Sequence, residues 1–224
     1  MRRSHFSLLC CAWAALGSSC AVDVEQRIRS CTSASPCGDG KVCVDGWCVA
    51  PDVPADALGA CEASAVLDAE NLIGNPDLER DATGWAGLQA SVERIAASGL
   101  PARNALRVSA PAGTKTEFGL NDSPSWVPHA PKAGARYCFA AWVRAESSTS
   151  KVEIDLKEYD SGDVLLGAIT SPGGTLSPSW KRLRVEYVNL AADSFIDLHA
   201  RVLTPQSASE TFEVTHLSLK VAPP

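Results

Sequence analysis

Seven polar side chains stand at alternating positions of apolar, strand-like stretches: Arg144, Asp155, Lys157, Arg184, Asp197, His199 and Arg201. Guanidinium, carboxylate and imidazole groups are planar and hydrogen-bond in fixed directions, which suits a ligand rich in hydroxyls. Such a ligand also needs flat apolar surfaces, and Trp126, Tyr159 and Tyr187 are the candidate platforms. Trp126 is the most telling of them, because residues 121–131 form a polar, proline-containing stretch where no core calls for an indole. Trp85, Trp142 and Trp180 are expected to pack inside. The charged residues line a shallow groove if they share one sheet face. The plainer reading of most of them is a solvated face with cross-strand ion pairs.

Catalytic chemistry has little footing. Ser148 and Lys151 fit an S-x-x-K spacing, but that motif needs a helix, and here it leads into a strand-like run. His129, His199 and His216 share no metal-ligand spacing. Asp77 and Glu79 are two residues apart, too close on a strand for a pair of acid–base carboxylates. The chain is therefore expected not to be an enzyme.

The elements that position these residues alternate with a period of two. Lys151–Tyr159 is the cleanest case, with Val152, Ile154 and Leu156 on one face and Glu153, Asp155 and Lys157 on the other. Arg136–Ala145 is apolar on both faces and reads as a central strand. Trp180–Val188 and Phe195–Leu203 alternate in the same way, and Ser91–Ile95 does so weakly. Thr211–Val221 changes parity between Val214 and Leu217, which predicts a β-bulge at Thr215-His216. Clusters such as Ser171-Pro172-Gly173-Gly174 separate the runs. The prediction is an all-β chain, an antiparallel β-sandwich filling residues 61–224 and opening at Asn71–Trp85.

Residues 1–60 read as delivery and tethering. Arg2 and Arg3 precede a short apolar run, Phe6–Leu16, and then small residues up to Cys20, the layout of an export signal over residues 1–20. The Leu16–Cys20 stretch resembles a bacterial lipoprotein signal, which implies Cys20 as the lipidated residue and an outer-membrane or cell-surface location. Free secretion is the alternative. The chain has nine cysteines, and four of them, Cys31, Cys37, Cys43 and Cys48, crowd residues 21–48 with too few apolar side chains to make a core. Disulfides must hold that module, and three pairings are open. A zinc site is the rival reading. Asp45-Gly46 favours a two-residue hairpin that sets Cys43 opposite Cys48. Residues 49–60 form a linker, and Cys61 and Cys138 are left to bridge each other. Charged residues make up 21% of the chain and the net charge is −6, which argues against a nucleic-acid partner.

Residues 66–221 resemble a carbohydrate-binding module with the galactose-binding-like jelly-roll fold. The resemblance is carried by Asn71–Glu79 with Gly84-Trp85, by Ala105–Val108, by Tyr137–Ala145, by Leu176–Leu183 and by Phe212–Leu219. The Cys37–Cys48 stretch is similar to EGF-like repeats of secreted bacterial proteins. Family members often end in Val-Asp-Asp-Val-Ser-Leu, where an Asp helps the opening acids hold a structural calcium. Here the segment reads Val214-Thr215-His216-Leu217-Ser218-Leu219. No cofactor is expected, with a calcium at Asp77 and Glu79 the one candidate. The resemblance implies a non-catalytic, exported surface lipoprotein that binds carbohydrate, touching the membrane only through its lipid. A surface adhesion domain that binds protein is the alternative, and an unrecognised hydrolase is the weakest.

Overall fold

The computed structural model describes residues 37, 42–44, 47–49, 61, 69–98, 103–114, 116–207 and 209–222. The expected signal at 1–20 with Cys20, the module's Cys31 and most of the linker lie outside the described residues. Strands β1 (Val42–Val44) and β2 (Trp47–Val49) form the expected hairpin, with Cys43 opposite Cys48. Cys37 is disulfide-bonded.

The rest is a sandwich of two antiparallel sheets. Its strands are β3 (Gly84–Leu88), β4 (Ser91–Ala96), β5 (Asn104–Ser109), β6 (Phe118–Ser123), β7 (Arg136–Arg144), β8 (Lys151–Tyr159), β9 (Leu165–Thr170), β10 (Gly174–Thr175), β11 (Lys181–Val188), β12 (Phe195–Val202) and β13 (Thr211–Ala222). One sheet runs β10-β8-β12-β6-β3, with β9 also paired to β8, and the other runs β11-β7-β13-β5-β4. The core lies between them. Val152, Ile154 and Leu156 face Leu183 and Val185 across it, and Phe118 meets Phe212 with ring centroids 5.7 Å apart. Burial of these apolar faces, one from each sheet, is what holds the layers together.

The parity change in the last strand is a bulge between Thr215 and Ser218, where His216 takes a φ of 47°. The extra residue lets Phe212 and Val214 share the core with Leu217 and Leu219. Cys61 and Cys138 are bridged as expected, closing a sequence separation of 77 residues.

The opening stretch departs from the expectation. Residues 71–83 are a loop and not a strand. Asn71 Oδ1 accepts from the backbone N–H groups of Ile73 and Leu219, Leu72 N donates to Leu219 O, and Leu217 N donates to Pro76 O. The loop is thus laced to β13 at its bulge, where the ladder is interrupted and backbone groups are free to bond outward. Trp142 and Trp180 also depart from it. Trp142 has the parity opposite to the core residues Phe139, Ala141 and Val143, so it lies on the outer face. Trp180 lies under the Arg144 guanidinium, 4.5 Å from ring centroid to Cζ.

Candidate functional site

The polar constellation divides between the two sheets. In β8 and β12 the residues facing the core are Val152, Ile154, Leu156, Ile196, Leu198, Ala200 and Val202, each at most 1% exposed. The residues between them therefore point away, to the outer face of the six-stranded sheet. Asp155, Lys157, Tyr159, Asp197, His199 and Arg201 all fall on this face. The register across β12 and β8 pairs Phe195 with Tyr159, Asp197 with Lys157, His199 with Asp155, and Arg201 with Glu153. Across β6, Asn121 continues the His199 row.

Asp155 is the hub of this face. It is wholly buried, and its Oδ1 accepts from Arg201 Nε at 3.1 Å. Its Oδ2 lies 3.7 Å from Lys157 Nζ and 3.6 Å from His199 Nδ1, and neither Oδ2 nor Nδ1 is hydrogen-bonded. Arg201 Nη1 also donates to Glu117 Oε2 at 2.5 Å, and His199 Nε2 lies 3.4 Å from Asp197 Oδ2. Burial acts to raise the Asp155 carboxyl. His199, Arg201 and Lys157 outweigh it and hold the group below its ordinary range. The result is an ionised carboxylate that orients Arg201 by a hydrogen bond and attracts Lys157 and His199 at longer range.

An aromatic pair adjoins the charged rows. Tyr159 and Phe195 stack with centroids 5.1 Å apart and planes 14° apart. Burial, and then the Asp197 and Asp155 carboxylates, push the Tyr159 phenol up, so the hydroxyl stays a neutral donor and acceptor.

The remaining predicted residues lie elsewhere. Arg144 and Arg184 belong to β7 and β11, on the five-stranded sheet, because those strands pair with each other and not with β8. Arg144 is committed to Glu213 at 2.7 Å and to Trp180, and Arg184 lines a shallow depression beside Cys61. Tyr187 faces inward, 9% exposed, and its hydroxyl donates to Glu158 Oε2 at 2.7 Å. Trp126 is packed against the core edge, 6.4 Å from Trp85 between ring centroids, with the backbones of Gly74 and Gly84 against its ring. A polar stretch does surround it, but two glycines and a second indole make a slot for the ring. Sequence reasoning missed Phe195, Glu117 and Asn121. The period-two parity of Phe195 with Asp197 and His199 was the available signal for the first.

Asp122 ties this face to the Trp126 loop. Its Oδ1 accepts from Leu198 N at 2.7 Å, and its Oδ2 accepts from Trp126 N at 2.9 Å. Burial pushes this carboxyl up to about 7. The two backbone bonds oppose the rise, and the neighbouring Asp197 adds to it.

Asp77, with Glu79 the candidate for a calcium ligand, has its Oδ1 2.7 Å from His216 Nδ1. Among the described residues no group of three His, Cys, Asp or Glu side chains is placed to hold a metal ion.

No protein-family model matches the chain, nor does any curated protein. Solved structures do match. The chain is similar to the CBM22-1 xylan-binding domain of Xyn10C from Paenibacillus barcinonensis, at TM-score 0.53 and 12% identity, over 70% of this chain and 97% of that one. It is similar to the CBM22-1–CBM22-2 tandem of the same protein, at TM-score 0.54 and 10% identity, over 70% and 46%. It is also similar to the enzymatically active domain of tailspike protein 4 from bacteriophage CBA120, at TM-score 0.52 and 10% identity, over 67% of this chain but only 21% of that one. At such identities the likeness is one of fold: the sandwich is a jelly roll of the kind found in carbohydrate-binding modules.

Proposed function

We propose that this chain is an exported, non-catalytic carbohydrate-binding protein that takes its ligand on the outer face of the six-stranded sheet. One observation carries the reading. Four residues picked from sequence for hydroxyl recognition, Lys157, His199 and Arg201 around the buried carboxylate of Asp155, come together on that face with Tyr159, picked as an aromatic platform. Pre-set donors and acceptors beside an aromatic stack are what a sugar needs, hydroxyls on its edge and C–H groups on its face. The fold-level likeness to carbohydrate-binding modules supports the same reading. Export and a lipid on Cys20 belong to the proposal and rest on the Arg2-Arg3, Phe6–Leu16 and Leu16–Cys20 pattern.

A protein ligand is the second reading, favoured by exposed apolar side chains around β9: Val164 at 59%, Leu165 at 53% and Leu190 at 61%. Retention of the mature chain on insoluble polysaccharides separates the two. The expected result is retention that soluble oligosaccharide competes away and that Tyr159→Ala abolishes while leaving the melting temperature within a few degrees. Failure of the folded protein to bind any glycan favours the protein ligand.

A further inference from the structure

We infer that the six-stranded face selects an uncharged glycan chain laid across its strands, with sugar rings seated on a row made by Phe195, Tyr159 and Leu165. This rests on the glycan-binding reading above and adds the class and direction of the ligand.

The direction comes from register. Phe195 stands opposite Tyr159 across β12 and β8, and Tyr159 stands opposite Leu165 across β8 and β9, where the register shifts by one residue after Glu158–Gly167 so that Leu165 and Leu166 are both set against Tyr159. Directly opposed residues of neighbouring antiparallel strands share a face. The three side chains therefore form one apolar row perpendicular to the strands. Three strands at about 4.8 Å spacing make that row about 10 Å long, enough for roughly two sugar rings. The row has an open end, because Leu165 is 53% exposed on the edge strand β9. One step along the strands lies the Asp197–Lys157 row, within about 7 Å, so rings seated on the apolar row turn their hydroxyl edge toward those two groups.

The class comes from charge. On this face the carboxylates are Glu117, Glu153, Asp155 and Asp197, and the cations are Lys151, Lys157 and Arg201. Each cation is already engaged with a carboxylate of the same face: Lys151 with Glu153 at 2.6 Å, Lys157 with Asp155 at 3.7 Å, and Arg201 with Asp155 and Glu117 at 3.1 and 2.5 Å. Among the described residues of the face no lysine or arginine is left over for an anionic sugar. Among the described residues, Asp197, the acid one row from the apolar row, has His199 as its one ion-pair partner, and its other charged neighbour, Asp122, is also an acid. A uronic or carboxymethylated ring would meet that carboxylate directly, and like charges repel most where solvent is thin. A neutral ring asks only for hydrogen bonds.

The test is affinity electrophoresis of the mature chain in gels containing hydroxyethyl cellulose, xylan, galactan or mannan, and the carboxymethyl derivatives of the same four backbones. The expected result is retardation by at least one neutral polymer, with about tenfold weaker retardation by its carboxymethyl derivative. Leu165→Asp and Phe195→Ala should each weaken binding to the neutral polymer by a similar factor, and Asp197→Lys should restore binding to the derivative. Binding of the carboxymethyl polymer by the wild type as well as its parent overturns the charge argument. A folded Leu165→Asp protein that binds like the wild type overturns the row. Either result leaves glycan binding itself standing, whereas no retardation by any of the eight polymers removes the reading beneath both.

Discussion

Asp122 is 4% exposed, yet it carries a backbone N–H from β12 on one oxygen and one from the Trp126 loop on the other. Its raised value of about 7 against an ordinary 3.8 means that the folded protein binds this proton more tightly than the unfolded chain. The stability it brings is full below about pH 4 and is lost as pH rises through about 7, worth up to about 4 kcal/mol for a shift of about three units. Asp122→Asn removes the titrating proton and, with a single acceptor oxygen, gives up one of the two backbone bonds, so the variant should be less stable than the acid-side wild type but flat with pH. Urea unfolding at pH 5, 6, 7 and 8 checks this: the wild type should lose stability across that range more steeply than the variant, and equal slopes would refute the assignment. Asp155 acts with the opposite sign. Its lowered carboxyl contributes above its ordinary value and is lost as pH falls through the folded one. Asp155→Ala leaves Arg201 and Lys157 facing a void and should cost about 3 kcal/mol at pH 7, measured by the same unfolding assay.

At the scale of elements, the slot that holds Trp126 is the most exacting piece of construction. Gly84 opens β3 with a φ of 89°, and a Cβ built on it would lie 2.1 Å from Trp126 Cζ2. Gly84→Ala therefore faces both an unfavourable backbone region and a ring that must move, and should lower stability by about 2–4 kcal/mol. Adding Trp126→Ala removes the collision but not the backbone penalty. The double variant should then lose less than the sum of the single losses, and strict additivity in a thermal-melt cycle would count against the slot. This is also where sequence and structure part company. Lys151–Tyr159 and the bulge at Thr215 could be read because one buried face imposes a strict alternation, and a parity slip in such a strand shows. Strands β6 and β9 were not legible. Gly119 and Asn121 make Phe118–Ser123 look like a loop, and Leu165–Thr170 has no alternation because it is an exposed edge. The shared face of Asp155 and His199 was legible as a parity. That Arg144 and Arg184 belong to the other sheet was not, since strand order depends on pairings between residues far apart in the chain.

The whole molecule places its covalent tie and its candidate groove on opposite sides. Cys138 lies on β7 with the parity opposite to the core residues Tyr137 and Phe139, so the bond to Cys61 is made on the outer face of the five-stranded sheet. The groove is on the outer face of the other sheet, with the core between. Cys61 therefore lies on the far side of the core from the groove. If Cys20 carries the proposed lipid anchor, cells fed a labelled fatty acid should yield labelled protein, and Cys20→Ser should abolish the label and release the chain from the membrane fraction. The bridge itself should matter for stability and not for recognition. Joining residues 77 apart restricts the unfolded chain by about 4 kcal/mol on the loop-entropy account, while no groove side chain touches either sulfur. Replacing both Cys61 and Cys138 by alanine should therefore lower the melting temperature by several degrees yet leave glycan retention at 25 °C unchanged. Loss of retention by the still-folded double variant would mean that the two sheets are coupled across the core, and that the bridge positions the groove as well as fastening the chain.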